Sequence, residues 1–304
     1  MDTSVTILLD TAGGKLSTTI AAGTPLPVEK LLIGRPVAEA AVLMPRLFNL
    51  CRAAQSAAAH LALGLPLPED AEALHTEVLR DHMIKLFLSW PNLLGLPPRP
   101  FPAPDTAAIA FFGPAGVFPD SPAAFDAWLA AGEGCAPLLG AIRDAFAPGE
   151  AVARLPDSTP ATAMHLAPQE NSTALRHPGH PVLDRIAGAQ GRGPLWRATA
   201  RLIDAGACLA GTLPAPRRLS DGTALTPAAR GQYAVRARAE DGRVAAFARV
   251  TPTDHLLTPG GMLQASFASL PAAKVDLAPL LLDILDPCVP VTLTQVMESG
   301  TPDA

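Results

Sequence analysis

Cys51 and Cys288 are the residues of this 304-residue chain whose type and setting point to chemistry. Pro45 stands ahead of Cys51 and Pro287 directly before Cys288, and each proline favours a helix start. A thiol near a helix N-terminus loses its proton more readily, which makes it a better metal ligand or nucleophile. The plainer alternative is a small buried apolar side chain. Nucleophilic catalysis by cysteine needs a histidine base, and the seven histidines are scattered, none in a motif with Cys or Ser. His177-Pro178-Gly179-His180 is the closest histidine pair, and it reads as an exposed loop rather than half of a zinc site. Phosphate-loop and dinucleotide glycine patterns are absent; Gly191-Arg192-Gly193 is too short for either. Arg230-Gly231 precedes a strand, where the guanidinium either enters a pocket or pairs at the surface.

These residues must be carried by local elements. Residues 5–9 and 17–20 are β-prone runs around Ala12-Gly13-Gly14-Lys15, which predicts a hairpin. The Ala-rich stretch 46–63 predicts a helix starting at Pro45, with Leu47, Leu50, Ala54 and Ala57 or Ala58 on one stripe beside Cys51. A second helix starts at Pro68-Glu69-Asp70, with its acids in the first turn where the helix dipole favours them, and runs to Trp90-Pro91. Shorter helices are expected near 123–131, 137–147 and 194–213, and a last one over 276–285. The clearest hairpin pairs 232–239 with 243–250 around Glu240-Asp241-Gly242, with Tyr233, Val235 and Ala237 facing away from Arg236 and Arg238. Residues 148–193, rich in Pro, Gly and His, read as an irregular, mobile insertion. No repeat or composition shift divides the chain, so a single domain over 1–304 is expected, α+β and predominantly α.

The composition excludes several function classes. There are 23 basic and 28 acidic residues, no basic stripe and a single tyrosine for base stacking, which argues against nucleic acid. No uncharged stretch reaches the ~20 residues of a membrane span, and an acid at position 2 does not suit a secretory leader. A cytoplasmic protein is expected. Its four widely spaced cysteines do not form a disulfide framework there.

One stretch is more specific. From Val28 to Cys51 the chain resembles the first metal-binding region of nickel-iron hydrogenase large subunits, a Glu, then Gly-Arg, then Arg-x-Cys-Gly-x-Cys-x-x-x-His. Glu29, Gly34, Arg35 and Arg46 fall on that pattern and Cys51 on its second cysteine. Phe48 replaces the first cysteine, Asn49 the glycine and Gln55 the histidine. Asp286-Pro287-Cys288 resembles the start of the second region, Asp-Pro-Cys-x-x-Cys-x-x-His, with Val291 and Thr294 at the later ligand positions. Ala228-Ala229-Arg230-Gly231 is similar to the Ala-Pro-Arg-Gly segment between them. Thr251-Pro252-Thr253 is similar to the later Val-Pro-Ser/Thr segment, and Asp81-His82 matches part of an Asp-His-x-x-His-Phe helix. Five partial matches in order, with a cysteine lost at each end, resemble the HupK (HoxV-like) hydrogenase expression/formation proteins, relatives of the large subunit.

The resemblance implies a reduced large-subunit-like fold and a non-enzymatic maturation scaffold that transiently holds or helps assemble an Fe(CN)2CO unit. Cys51 and Cys288 are its implied iron ligands, and no nickel is expected, because soft thiolates are what would have held it. Arg230 and Thr253 are the implied donors to the cyanides, and Pro252 is an apolar wall. Glu29 corresponds to a carboxylate near the thiolates, although Leu26-Pro27 replaces the Arg-Gly ahead of it. The implied partners are other maturation proteins and the hydrogenase large-subunit precursor. Thr294 and the short segment after it argue against C-terminal proteolysis of the kind that matures an enzyme subunit. Two alternatives stay open: a metal-free chaperone with a degenerate large-subunit fold, and a thiol-redox protein that closes a Cys51–Cys288 disulfide.

Overall fold

The computed structural model describes residues 4–11, 14, 16–24, 26–68 and 72–295. Three expectations lie outside the described residues: the tip of the first hairpin (Ala12, Gly13, Lys15), the acids Glu69 and Asp70, and everything after Gln295. β1 (Val5–Asp10) buries Val5, Ile7 and Leu9 at every second position and pairs antiparallel with β2 (Ser17–Ala22). The last strand of the fold adds to the other edge of β1 in parallel, with Val5 opposite Val291. That pairing ties the two ends of the chain together and leaves Cys288 three residues from the sheet.

Between these strands the chain runs through α1 (Val28–Leu32), α2 (Val37–Leu43), α3 (Arg52–Ala62), α4 (Glu72–Met83), α5 (Trp90–Leu93), α6 (Ala107–Phe112), α7 (Pro122–Ala131) and α8 (Ala136–Ala145). It continues through α9 (Pro181–Gln190), α10 (Pro194–Leu209), β3 (Arg217–Arg218), β4 (Thr223–Ala228), β5 (Gly231–Glu240), β6 (Arg243–Val250), α11 (Pro252–Leu257), α12 (Met262–Ala268), α13 (Ala278–Leu285) and β7 (Val291–Gln295). β3 to β6 form an antiparallel meander, with positive φ at Asp241 and Gly242 in the β5–β6 turn. This is the expected hairpin, with a bulge after Arg238. The fold is α+β and predominantly α, with two small sheets.

Two differences bear on function. The helix expected from residue 46 starts six residues later: Met44–Arg46 makes one 3-10 turn, the chain breaks, and α3 begins after Cys51. Leu50 is exposed as a result, while Ala54, Ala57 and Ala58 pack across β4 and β5. The stretch expected to be a loop, 148–193, holds α9, a 3-10 turn at Thr173–Arg176 and buried Gln169, Glu170, Asn171 and Thr173. Its order comes from polar pairing, which hydrophobic periodicity does not register.

That pairing centres on α10. Arg197, Arg201, Asp204 and Cys208 recur at helical spacing along one stripe of an almost wholly buried helix. Arg197 meets Glu170 in two parallel bonds of 2.7 and 2.6 Å. Asp204, fully buried, receives Arg176 through two bonds of 2.8 and 2.5 Å, with His82 at 2.7 Å and His177 at 3.0 Å. With Asp204 already matched by Arg176, His82 needs only a neutral Nε2–H toward it. A proton on His82 Nδ1 would meet no acceptor, since that buried atom has no partner. Burial accordingly pushes the His82 pKa down to about 4 from an ordinary 6.5. Between these pH values the unfolded chain binds a proton that the folded chain refuses, so stability rises with pH across that window. We expect a loss on the order of 3 kcal/mol as pH falls from 6.5 to 4. Denaturant melts of the protein and of His82→Gln check this; the variant's profile is expected to be flatter over the same range.

Candidate functional site

Cys51 and Cys288 face one open cavity of about 1110 Å³, which Arg230, Pro252 and Thr253 also line. Each thiol arrives through unusual backbone. Cys51 itself is left-handed, at φ 54°, in the N-cap position of α3. Asp286, two residues before Cys288, is left-handed at φ 54° where α13 ends. Non-glycine residues held there cost on the order of 1–3 kcal/mol each, and surrounding contacts hold these two. Gln55 donates from Nε2 to Leu50 O at 2.8 Å and braces the turn behind Cys51. Glu77 reaches from α4 to accept the Ala53 N–H at 2.8 Å and the Ala54 N–H at 3.2 Å.

Burial reverses one expectation. A helix start at Pro45 is expected to favour a Cys51 thiolate, but α3 begins after Cys51 and Glu77 accepts two of its N–H groups. Burial raises the Cys51 pKa to about 12, opposed by Arg230 and reinforced by Asp81, Glu77 and Cys288. Cys288 does not start a helix either; it follows the end of α13. Its thiol is fixed by Thr253, whose hydroxyl donates to Sγ at 3.0 Å and accepts the Cys288 N–H at 2.9 Å. The single hydroxyl proton of Thr253 is therefore spent on sulfur. Thr253 sits in the first turn of α11, which is fixed by reciprocal bonds between Thr251 and Asp254.

Arg230 is the hub. Nη1 lies 3.5 Å from Cys51 Sγ and 3.1 Å from Asp81, and Nε donates to Asp286 O at 3.0 Å. The Asp286 carboxylate in turn receives Arg201 at 2.9 Å and Lys85 at 2.9 Å. These three cations hold the buried Asp286 carboxyl far below the ordinary carboxylate range against the opposing effect of burial. The 228–231 turn is itself clamped. Arg176 Nη1 donates to Ala228 O at 2.8 Å and Gly231 O at 3.1 Å, and Asn171 bonds both the N–H and the carbonyl of Gln232. A side chain at Gly231 would place Cβ 2.3 Å from Asn171 O, which is why glycine follows the arginine.

The structure brings together Cys51, Cys288, Arg230, Pro252 and Thr253, and it excludes Glu29. Val28 and Leu32, four apart, bury the inner face of α1, so Glu29 points to solvent and does not line the cavity. Pro27, where the large-subunit pattern has glycine, is the residue that opens this short helix. The carboxylates that do act on Cys51 are Asp81 and Glu77. Glu77, Asp81 and Lys85 recur every four residues, and this spacing is the signal in the sequence that points to them. His177 and His180 do not form a metal pair: one bonds Asp204 and the other caps α9. Ligand atoms of His82, Asp204 and Cys208 lie within 4.8 Å of one another, but the Arg176 guanidinium already occupies that carboxylate.

The hydrogenase expression/formation protein HupK of Rhodobacter capsulatus is 48% identical over 301 residues, 97% of this chain and 99% of that protein. The chain belongs to the HupK family of hydrogenase expression/formation proteins. No protein-family model matches it. Among solved structures, the nickel-iron-selenium hydrogenase of Desulfovibrio vulgaris Hildenborough aligns with a TM-score of 0.58 at 15% identity, covering 91% of this chain and 94% of that one. The Desulfomicrobium baculatum enzyme aligns at 0.56 and 14%, covering 93% and 95%. The chain thus has a nickel-iron hydrogenase large-subunit fold. Among the described residues no helix is long and apolar enough to cross a membrane.

The burial of Cys51 makes a direct prediction. At pH 8–9, iodoacetamide should modify Cys51 slowly, because each pKa unit above the pH lowers the thiolate fraction tenfold. Glu77→Gln removes a charge that holds the proton on, and labelling should speed up several-fold. Arg230→Gln removes the charge that draws it off, and labelling should slow further. Peptide mass spectrometry at residue 51 reads both.

Proposed function

We propose that the protein is a non-catalytic scaffold of hydrogenase maturation that transiently holds an Fe(CN)2CO unit between Cys51 and Cys288. The convergence of two free thiols from opposite ends of the chain on one cavity, with Arg230 against one of them, carries this reading. Thiolates are soft donors and suit a low-spin iron whose other positions are held by cyanide and CO. Two sulfurs give weaker ligation than the four of the enzymes this family resembles, which suits a site that must release its cargo. The family resemblance and the absence of two cysteine ligands support a site without nickel and without hydrogen turnover.

The chain's own groups have separable tasks. Thr253 holds Cys288 in one orientation. Pro252 gives the cavity an apolar wall. Arg230 presents positive charge to Cys51, so that loss of the thiol proton on metal binding is met by a nearby cation. The high Cys51 pKa keeps the metal-free thiol protonated, so the cargo has to displace a proton. The scaffold would work in the cytoplasm with other maturation proteins, and the cavity, far larger than the iron unit, leaves room for the partner that delivers or receives it.

Infrared spectroscopy of protein purified without oxygen from a hydrogenase-expressing host tests this. CN and CO stretching bands are expected, and Cys51→Ser and Cys288→Ser should each shift or abolish them. Absence of the bands, or bands indifferent to both substitutions, overturns the reading. Normal hydrogenase maturation with both cysteines replaced would point instead to a metal-free chaperone.

A further inference from the structure

A second set of polar groups lines the same cavity and plays no part in the site described above. Arg249, on β6, lays its guanidinium 4.6 Å above the ring of Phe48. Among the described residues no carboxylate lies within ion-pair distance of it. Asp254, which also lines the cavity, is engaged with the Thr251 N–H at 2.7 Å. Beside Arg249, Tyr233 is 3% exposed; the guanidinium lies against its hydroxyl, whose own proton has no acceptor. Arg230, by contrast, is already matched by Asp81 and Asp286. A buried hydroxyl proton without an acceptor is destabilising, and a guanidinium on an aromatic face keeps its charge and outer N–H groups available to an anion. A small hydrogen-bond-accepting anion that bridges the two would use both.

We propose that Arg249 and Tyr233, with Phe48 beneath, form a subsite for a small monoanion next to Cys51. Naming that anion as a cyanide of the bound iron unit rests on the function proposed above; the subsite itself does not. Charge arithmetic favours the assignment. Iron(II) and two cyanides sum to zero, and each thiolate adds a negative charge. The loaded site therefore carries two negative charges, and Arg230, which faces Cys51, is shared with Asp81 and Asp286. Arg249 is a second cation on the cavity wall, and Tyr233 supplies a neutral donor alongside.

Tyr233 is the only tyrosine in the chain, so it reports on the subsite without ambiguity. Protein labelled with 3-fluorotyrosine gives one fluorine resonance, and sodium azide serves as the probe anion against a sodium chloride control of equal ionic strength. Iron-free protein should show a saturable shift of that resonance, and Arg249→Gln should weaken azide at least tenfold. Azide binding followed by its own infrared band should weaken likewise in Tyr233→Phe and survive in Cys288→Ser. An unmoved fluorine signal overturns the proposal, as does equal affinity in Arg249→Gln. An azide response in protein that never shows CN or CO bands would uphold the subsite while the iron reading falls. In iron-loaded protein the azide shift should be lost; a shift retained there overturns the cyanide assignment.

Discussion

The site depends on closing a long chain upon itself. β1, near the start, and β7, near the end, lie side by side in parallel, and the turn that feeds β7 carries Cys288. Cys51 reaches the same cavity from the turn before α3. The buried face of β1 sets the register of that pairing. Arg230 fixes the turns that carry the thiols, binding Asp286 through both carbonyl and carboxylate while reaching Cys51 and Asp81. One guanidinium thus ties together four segments that are distant in sequence, and each thiol's position is defined relative to it.

Such a hub has to be held rigidly, and the fold uses buried charge for this. Lys85 and Arg201 neutralise Asp286 from the far side. Arg176 and Asn171 clamp the turn that carries Arg230, and Asp204 anchors Arg176 in turn. Replacing a buried ion pair by well-packed apolar residues is often neutral or stabilising, so stability alone does not explain so many of them here. They set direction: each carboxylate has a defined cation, and the network as a whole points one arginine at one sulfur. Residues 148–193 supply Glu170, Asn171, Arg176 and His177 to this network, which gives the middle of the chain a structural purpose that its composition conceals.

Much of the fold was legible in the sequence because it follows local rules. The two hairpins, the Ala-rich helix behind Cys51 and the helix to Trp90 came from periodicity and turn residues. Cys51, Cys288, Arg230, Pro252 and Thr253 came from motif resemblance. What failed was orientation. Glu29 matched a motif, yet the Val28/Leu32 spacing turns it outward. The helix start at Pro45 was misplaced because Cys51 adopts a left-handed conformation that sequence spacing does not reveal. The helix start expected to draw the proton off Cys51 does not do so, because burial dominates at that thiol and the Asp81 and Glu77 carboxylates come from another helix. Arg249 and Tyr233 lay in a correctly predicted hairpin, but their meeting with Phe48 depends on tertiary packing.

The central claim is that Cys51 and Cys288 act as two ligands of a single metal site. Cobalt(II) titration of the oxygen-free, metal-free protein tests it most directly, since sulfur-to-cobalt charge-transfer absorption grows with the number of thiolates bound. The account predicts one ion per chain, with the intensity of two thiolates, roughly halved when either cysteine becomes serine. No charge-transfer band, or a band unchanged in Cys51→Ser and Cys288→Ser, would contradict it.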